Sequence, residues 1–469
     1  MIKNFETFDS IVVKNDTTDP LVSMGWELDS FSGQRSTKLI ILPTSGRNGS
    51  SAIVFPPNAV FAPPTIPRGC NRLVLGLAIR SPLVANPFFA TPLVLDPYTP
   101  PTGYPVVTPW SDHNDNYSLA NRRYAHITVK FCYGTLVNFT ATVEFRTTGV
   151  IISGKTGTGG YDGIADMPYI SAPHLLWDYT FVELLVDVTD FLDGIFKAAI
   201  NGVTVEEKTG IVTCDHLAFG SDPYDARAKL NRVEVTVVNR GYYGQHYFML
   251  DTLYLCDDDG GYHNDFLGPA FSKPLYPKED GDKANWTPYI NSTVVEDAPR
   301  YAILDDAPFN PASESDYLQA DQDLVEEMMK FDDADMPAGC TPIAVNHRTA
   351  ARGVATPGTP PPNALIPLFQ ATGNPLVQTP SLMKRISGWD YQFLDIYYNI
   401  VPGLSIPWTD LLIGESQFGF MLHEPVWTAV QIDEAGFADE VLEDHIPEVT
   451  DEPMDFGDEA LVEGDGEDG

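Results

Sequence analysis

Positive charge is scarce in this chain. Its 469 residues hold 28 Lys and Arg against 65 Asp and Glu, a formal net charge of −37. A nucleic-acid-binding surface needs clustered cations to release counterions, so that class is excluded, and an anionic membrane surface with it. Long apolar runs are also missing, and none approaches the roughly 20 residues of a membrane span. The opening MIKNFETFDS lacks the basic-then-apolar order of a secretory signal. Cysteine is sparse: Cys70, Cys132, Cys214, Cys256 and Cys340. The count is odd and no CxxC pair occurs, so buried free thiols are expected rather than a disulfide framework or a zinc site. A reducing cytoplasm fits their synthesis. The 9 histidines form neither HxxxH nor HExxH, and no Gly-x-Ser-x-Gly elbow appears. No catalytic, cofactor-binding or metal-ligating residue is therefore assigned.

What the chain does have is turn formers and aromatics: 39 Pro, 37 Gly, 21 Tyr and 25 Phe. These favour many short strands in two or three domains. Strand-like runs recur early, as FETFD from Phe5, GWEL from Gly25, KLIIL from Lys38 and SAIVF from Ser51. RLVLGLAIR at 72–80 is apolar on both faces and predicts a central strand. Residues 81–123 are interrupted by prolines from Pro82 to Pro109, which predicts a long surface insertion. It carries Phe88, Phe89, Tyr98, Tyr104, Trp110, His113 and Tyr117. Such aromatics either stack on sugars or a partner subunit, or pack over their own domain.

Alternation resumes at Tyr124–Phe131 and Ala141–Arg146. The glycine-rich GKTGTGGYDG at 154–163 lacks the order of a phosphate loop and predicts a mobile turn. Phe181–Val188 reads as strand, and Asn201-Gly202 as the turn of a hairpin. LNRVEVTVV at 230–238 alternates cleanly. FMLDTLYLCDDDGG, from Phe248, closes the set and runs into turn formers at 257–261. A second acidic cluster, EDGD at 279–282, reads as another turn before Trp286. Both clusters have an oxygen-rich, calcium-loop look, but neither has EF-hand spacing.

Roughly ten strands over the first part predict a two-sheet jelly-roll. The aromatic opening strand, the Ile200-Asn201-Gly202 hairpin and the closing LDTLYLCD strand resemble concanavalin A-like (LamG-like) sandwiches. The continuation NDFLG at 264–268, with its following Pro, Asp-Gly-Asp and Trp, resembles a group of tailed-bacteriophage virion proteins. There the sandwich precedes a smaller β-rich region. Cys340 to Arg352 and the closing QFGF from Gln417 resemble that second region.

The expected organisation is a mainly β chain. Residues 1–268 form the sandwich, with the insertion at 81–123, and 269–335 a connector whose acidic helix lies at 313–331. Residues 336–428 form a second β-rich domain, with a loop over its Pro- and Gly-rich 353–380, and 429–469 an acidic tail. No Lys or Arg follows Arg385, so the tail stays extended unless a partner neutralises it, or serves as an arm on a neighbour. The Glu-x-Asp-x-x-Glu strand of glucanase relatives is absent.

The resemblance implies a non-enzymatic structural component of a virion, made in the bacterial cytoplasm. It would sit as a tail or neck appendage or as a capsid decoration. Its partners would be copies of itself and other virion proteins. The alternative is a receptor module for host surface glycan, with a glycan depolymerase as the weakest reading.

Overall fold

The computed structural model describes residues 1–6, 21, 25–30, 40–42, 52–55, 59–85, 125–146, 149–156, 179–189, 193–214, 229–239, 245–304, 316–320, 322–332, 336–337, 340–352, 364–386 and 392–423. These all lie in the first of two units, Met1–His423; the second is Glu424–Gly469. The acidic tail, most of the proline-rich insertion and the glycine-rich turn beyond Thr156 fall outside the described residues.

Among the described residues, fourteen strands build the sandwich. They are β1 (Ile2–Glu6), β2 (Glu27–Ser30), β3 (Ile40–Leu42), β4 (Ala52–Phe55), β5 (Ala59–Ala62), β6 (Arg72–Ala85) and β7 (Ala125–Tyr133), then β8 (Leu136–Arg146), β9 (Gly149–Thr156), β10 (Tyr179–Asp187), β11 (Gly194–Ile200), β12 (Val203–Ile211), β13 (Arg232–Asn239) and β14 (Gln245–Asp257). An 8-stranded antiparallel sheet runs β12-β11-β10-β6-β14-β4-β3, with β1 also paired to β14. A 6-stranded sheet runs β2-β5-β13-β7-β8-β9. Alternate residues of the two sheets meet in one core, Leu73, Leu75 and Leu77 from the first, Val129, Phe139 and Val235 from the second. The jelly-roll expectation is met, with more strands than the sequence suggested.

β6 lies between β10 and β14 as the central strand. Its Gly76 lets the Tyr254 ring lie flat against the strand: a Cβ there would stand 2.0 Å from that ring. The Asn201-Gly202 hairpin turn has both residues at positive φ, 51° and 79°, as a two-residue turn between twisted strands requires.

The second region holds β15 (Pro277–Ala284), β16 (Thr287–Ile290), β17 (Thr293–Val294), β18 (Tyr317–Gln319), β19 (Glu326–Phe331), β20 (Val345–Ala351), β21 (Ala364–Ala371), β22 (Val377–Gln378), β23 (Lys384–Arg385), β24 (Gln392–Tyr398) and β25 (Ser416–His423). Its main sheet runs β15-β19-β25-β21-β22, with β23 on β21. Smaller sheets are β17-β16-β18 and β20-β24. Its aromatic core has Phe369 edge-on to Trp408 at 5.5 Å and Phe418 stacked on Trp408 at 6.0 Å.

Four expectations are corrected. The helix at 313–331 is replaced by β18 and β19. Met328 and Met329 are both buried, on opposite faces of β19, so pairing with β15 and β25 overrides helix propensity. The EDGD cluster at 279–282 lies inside β15 rather than in a turn. There the register shifts, and Asp282 N–H donates to the Gln417 side chain at 2.7 Å.

The insertion expected to open at residue 81 begins later, because β6 continues to Ala85. Pro82 is tolerated for two reasons: the β14 pairing slips a register between Tyr247 and Met249, and β10 pairs β6 no further than Arg80. The loop expected over 353–380 contains the buried strand β21. Its Pro367 sits where β23 has ended at Leu365 and β22 begins only at Leu368, so no ladder bond is lost on that side.

Candidate functional site

The two outer faces of the sandwich differ. On the 8-stranded sheet the outer face is apolar, with Val74, Ala78, Phe181, Leu185 and Tyr254, and the second region covers it through Ile343, Ala344 and Tyr397. A buried carboxyl lies within this contact. Glu183 accepts hydrogen bonds from Tyr254 Oη and, at 2.8 Å, from Gly268 N–H. Tyr254 Oη accepts from Leu267 N–H at 3.1 Å. Burial raises the Glu183 carboxyl above its usual range. It is 0% exposed, so it latches the NDFLG segment and is sealed from any substrate. This is the physical role of the motif that stood out in the sequence.

On the 6-stranded sheet the outer face is polar. Strand alternation sends Ile127, Val129 and Phe131 inward and Thr128 and Lys130 outward, and does the same on β8, β9 and β13. Register then lines up side chains across four strands. Thr236 pairs Thr128, Thr128 pairs Thr142, and Thr142 pairs Ser153. The result is a row of four hydroxyl-bearing residues in register on β13, β7, β8 and β9. All four residues are half-buried. None of their hydroxyls has a hydrogen-bond partner among the described residues. Each can therefore both donate to and accept from a ligand.

The next row aligns Glu234, Lys130, Thr140 and Lys155. Lys130 Nζ bonds Glu234 Oε1. Arg232 reaches Glu234 Oε2 at 3.2 Å and Glu27 Oε2 at 2.6 Å. Both oxygens of Glu234 are thus engaged by cations. Cys132 lies at the end of β7, and burial pushes its thiol up to about 11, so it is no nucleophile near neutral pH.

The acidic clusters serve the fold. Asp257 and Asp259 both meet Lys3, at 3.2 and 3.1 Å, and Asp259 N–H donates to Asp257 Oδ1. Asp280 Oδ1 accepts from Tyr301 N–H at 2.9 Å. No group of three or more metal-ligating side chains occurs among the described residues. The five cysteines are free, and four of them are buried. The aromatics of the insertion, from Phe88 to Tyr117, lie outside the described residues. The hydroxyl row was not assigned from sequence, since each Thr reads only as the polar half of an alternating strand. The alignment is a property of register.

No family model matches the chain, and no curated protein matches it. Solved structures do. One is an endo-β-1,4-glucuronan lyase from the fungus Trichoderma reesei, at 9% identity and TM-score 0.27, covering 50% of this chain and 94% of that one. Another is a Bacillus licheniformis β-glucanase, at 10% identity and TM-score 0.29, covering 54% and 97%. A third is the CBM2 module of the evolved Dit of Lactobacillus casei BL23 phage J-1, at 8% identity and TM-score 0.27, covering 54% and 94%. The expectation that this chain is not an enzyme is corrected here. A lyase and a glucanase stand among the structures it resembles, so catalysis stays open. Likeness at these scores carries no argument about what the chain binds.

Proposed function

We propose that this chain is a glycan-binding component of a tailed-phage particle, with the outer face of the 6-stranded sheet as its binding surface. One observation carries the reading: the aligned, unpartnered hydroxyls of Thr236, Thr128, Thr142 and Ser153. Neighbouring strands lie about 4.8 Å apart. The row therefore offers hydroxyls at a spacing of the order of one sugar ring, on strands rigid enough to fix their positions.

The expected affinity is low. Four net hydrogen bonds at about 1 kcal/mol each give about 4 kcal/mol, a dissociation constant on the order of 1 mM. Weak sites of this kind gain strength through many copies. That agrees with the virion setting implied by the 264–268 motif. Thr128→Val and Thr142→Val keep side-chain volume and remove the hydroxyls. Titrating the full chain with a glycan panel should show binding for the unaltered protein and at least about tenfold loss for the double variant, the worth of one to two hydrogen bonds. Undiminished binding would end this reading.

A second reading, as an assembly component, is favoured by the junction between sandwich and second region. There Tyr397, Asn399 and Arg348 all bond to β1 or its side chains. Rigid coupling of this kind suits a load-bearing subunit. Co-purification with intact particles and self-association in sedimentation test it.

A further inference from the structure

Resting on the glycan-binding reading, the geometry points to an anionic glycan as the ligand, anchored by Lys155. The chain as a whole is strongly acidic, so an unneutralised cation beside an open hydroxyl row is informative. Two other cations on this face are paired. Lys130 is met by Glu234, and Arg232 by Glu234 and Glu27. Two cations and two carboxylates close that network. Lys155 belongs to the same row, opposite Thr140, and has no carboxylate partner among the described residues. It is half-buried, so its aliphatic stem lies along the sheet and holds the ammonium near the row.

Its position suits a ligand lying along the hydroxyls. Lys155 is two residues from Ser153 on the same face of β9, and β9 is the last strand of this sheet among the described residues. A glycan crossing from Thr236 to Ser153 would present its next substituent to this ammonium. The recognised chemistry is an oxyanion on the sugar, whether carboxylate, sulfate or phosphate. A charge-assisted hydrogen bond to it is about twice as strong as a neutral one.

Edge lysines also guard sheets against pairing with other chains. A lysine with that task alone would leave glycan preference untouched, so the test measures preference. The full chain is titrated with uronate-bearing, sulfated and neutral oligosaccharides of matched length, alongside Lys155→Gln and Lys155→Arg. The expected result is roughly tenfold tighter binding of the anionic class. Lys155→Gln should abolish that preference, and Lys155→Arg should keep it. The uronate and sulfated arms identify which oxyanion is favoured. Glycan binding without anionic preference, or a preference that survives Lys155→Gln, overturns this inference and leaves the glycan reading standing. No binding to any member overturns both. Circular dichroism confirms that each variant folds.

Discussion

Glu327 and His347 are two buried titratable residues of the second region with opposite effects. Glu327 Oε2 accepts from Trp286 N–H at 2.8 Å, and Oε1 has no hydrogen-bond partner among the described residues. Burial pushes its carboxyl up to about 7. His347 lies stacked on Phe420 at 4.3 Å and edge-on to Phe331, and burial pushes its imidazole down to about 3. Between pH 4.5 and 6.5 the folded state holds a proton on Glu327 that the unfolded chain has released, so stability from this group falls as pH rises. Over the same window the unfolded chain protonates His347 while the fold does not, so stability from this group rises with pH. The two slopes cancel. Glu327→Gln keeps the acceptor for Trp286 and removes one slope. Stability of the variant relative to the unaltered protein should then climb by about 2 kcal/mol from pH 4.5 to 6.5. Urea unfolding at a series of pH values, followed by tryptophan fluorescence, checks this. Parallel profiles for the two proteins would refute it.

The element that decides how the sandwich meets the second region is β1. One edge of it pairs β14, from Ile2 opposite Cys256 to Glu6 opposite Leu253. The other meets side chains of β24 and the residue after it. Phe5 N–H donates to Tyr397 Oη at 3.0 Å, and Ile2 N–H to Asn399 Oδ1 at 2.7 Å. Beneath them Arg348 on β20 holds Glu6 at 2.7 Å and Asp395 at 2.6 Å. Arg348→Met would leave the buried Glu6 and the half-buried Asp395 without their cation, at a cost of about 3–5 kcal/mol. Tyr397→Phe removes one hydrogen-bonding hydroxyl and should cost about 1 kcal/mol. Limited proteolysis should cut the 269–352 stretch faster in Arg348→Met than in Tyr397→Phe, and faster in both than in the unaltered chain. Equal cutting rates would show that this junction does not hold the two regions together.

Strand existence in the sandwich was legible because its runs alternate cleanly between turn formers, as at 230–238 and 248–255. The second region was less legible. Its strands carry Pro367 or the EDGD acids, or the helix-like spacing of Leu318, Val325 and Met329, and long-range pairing overrides each of these signals. The candidate site was the least legible part. Thr128 and Thr142 are 14 positions apart in sequence order, and Thr236 lies far beyond both, yet pairing makes them neighbours. One sequence shows that each faces outward but not that they face outward in line. Register is set by the whole sheet.

For the molecule as a whole, the central claim is that this aligned face binds sugar. Methyl-resolved NMR of threonine-labelled full chain, titrated with the best-binding member of the glycan panel, tests it most directly. The account predicts shifts concentrated at Thr128, Thr142 and Thr236, with Thr287 and Thr293 on the small sheet of the second region unmoved. Shifts at the small sheet with the three face threonines silent would contradict it.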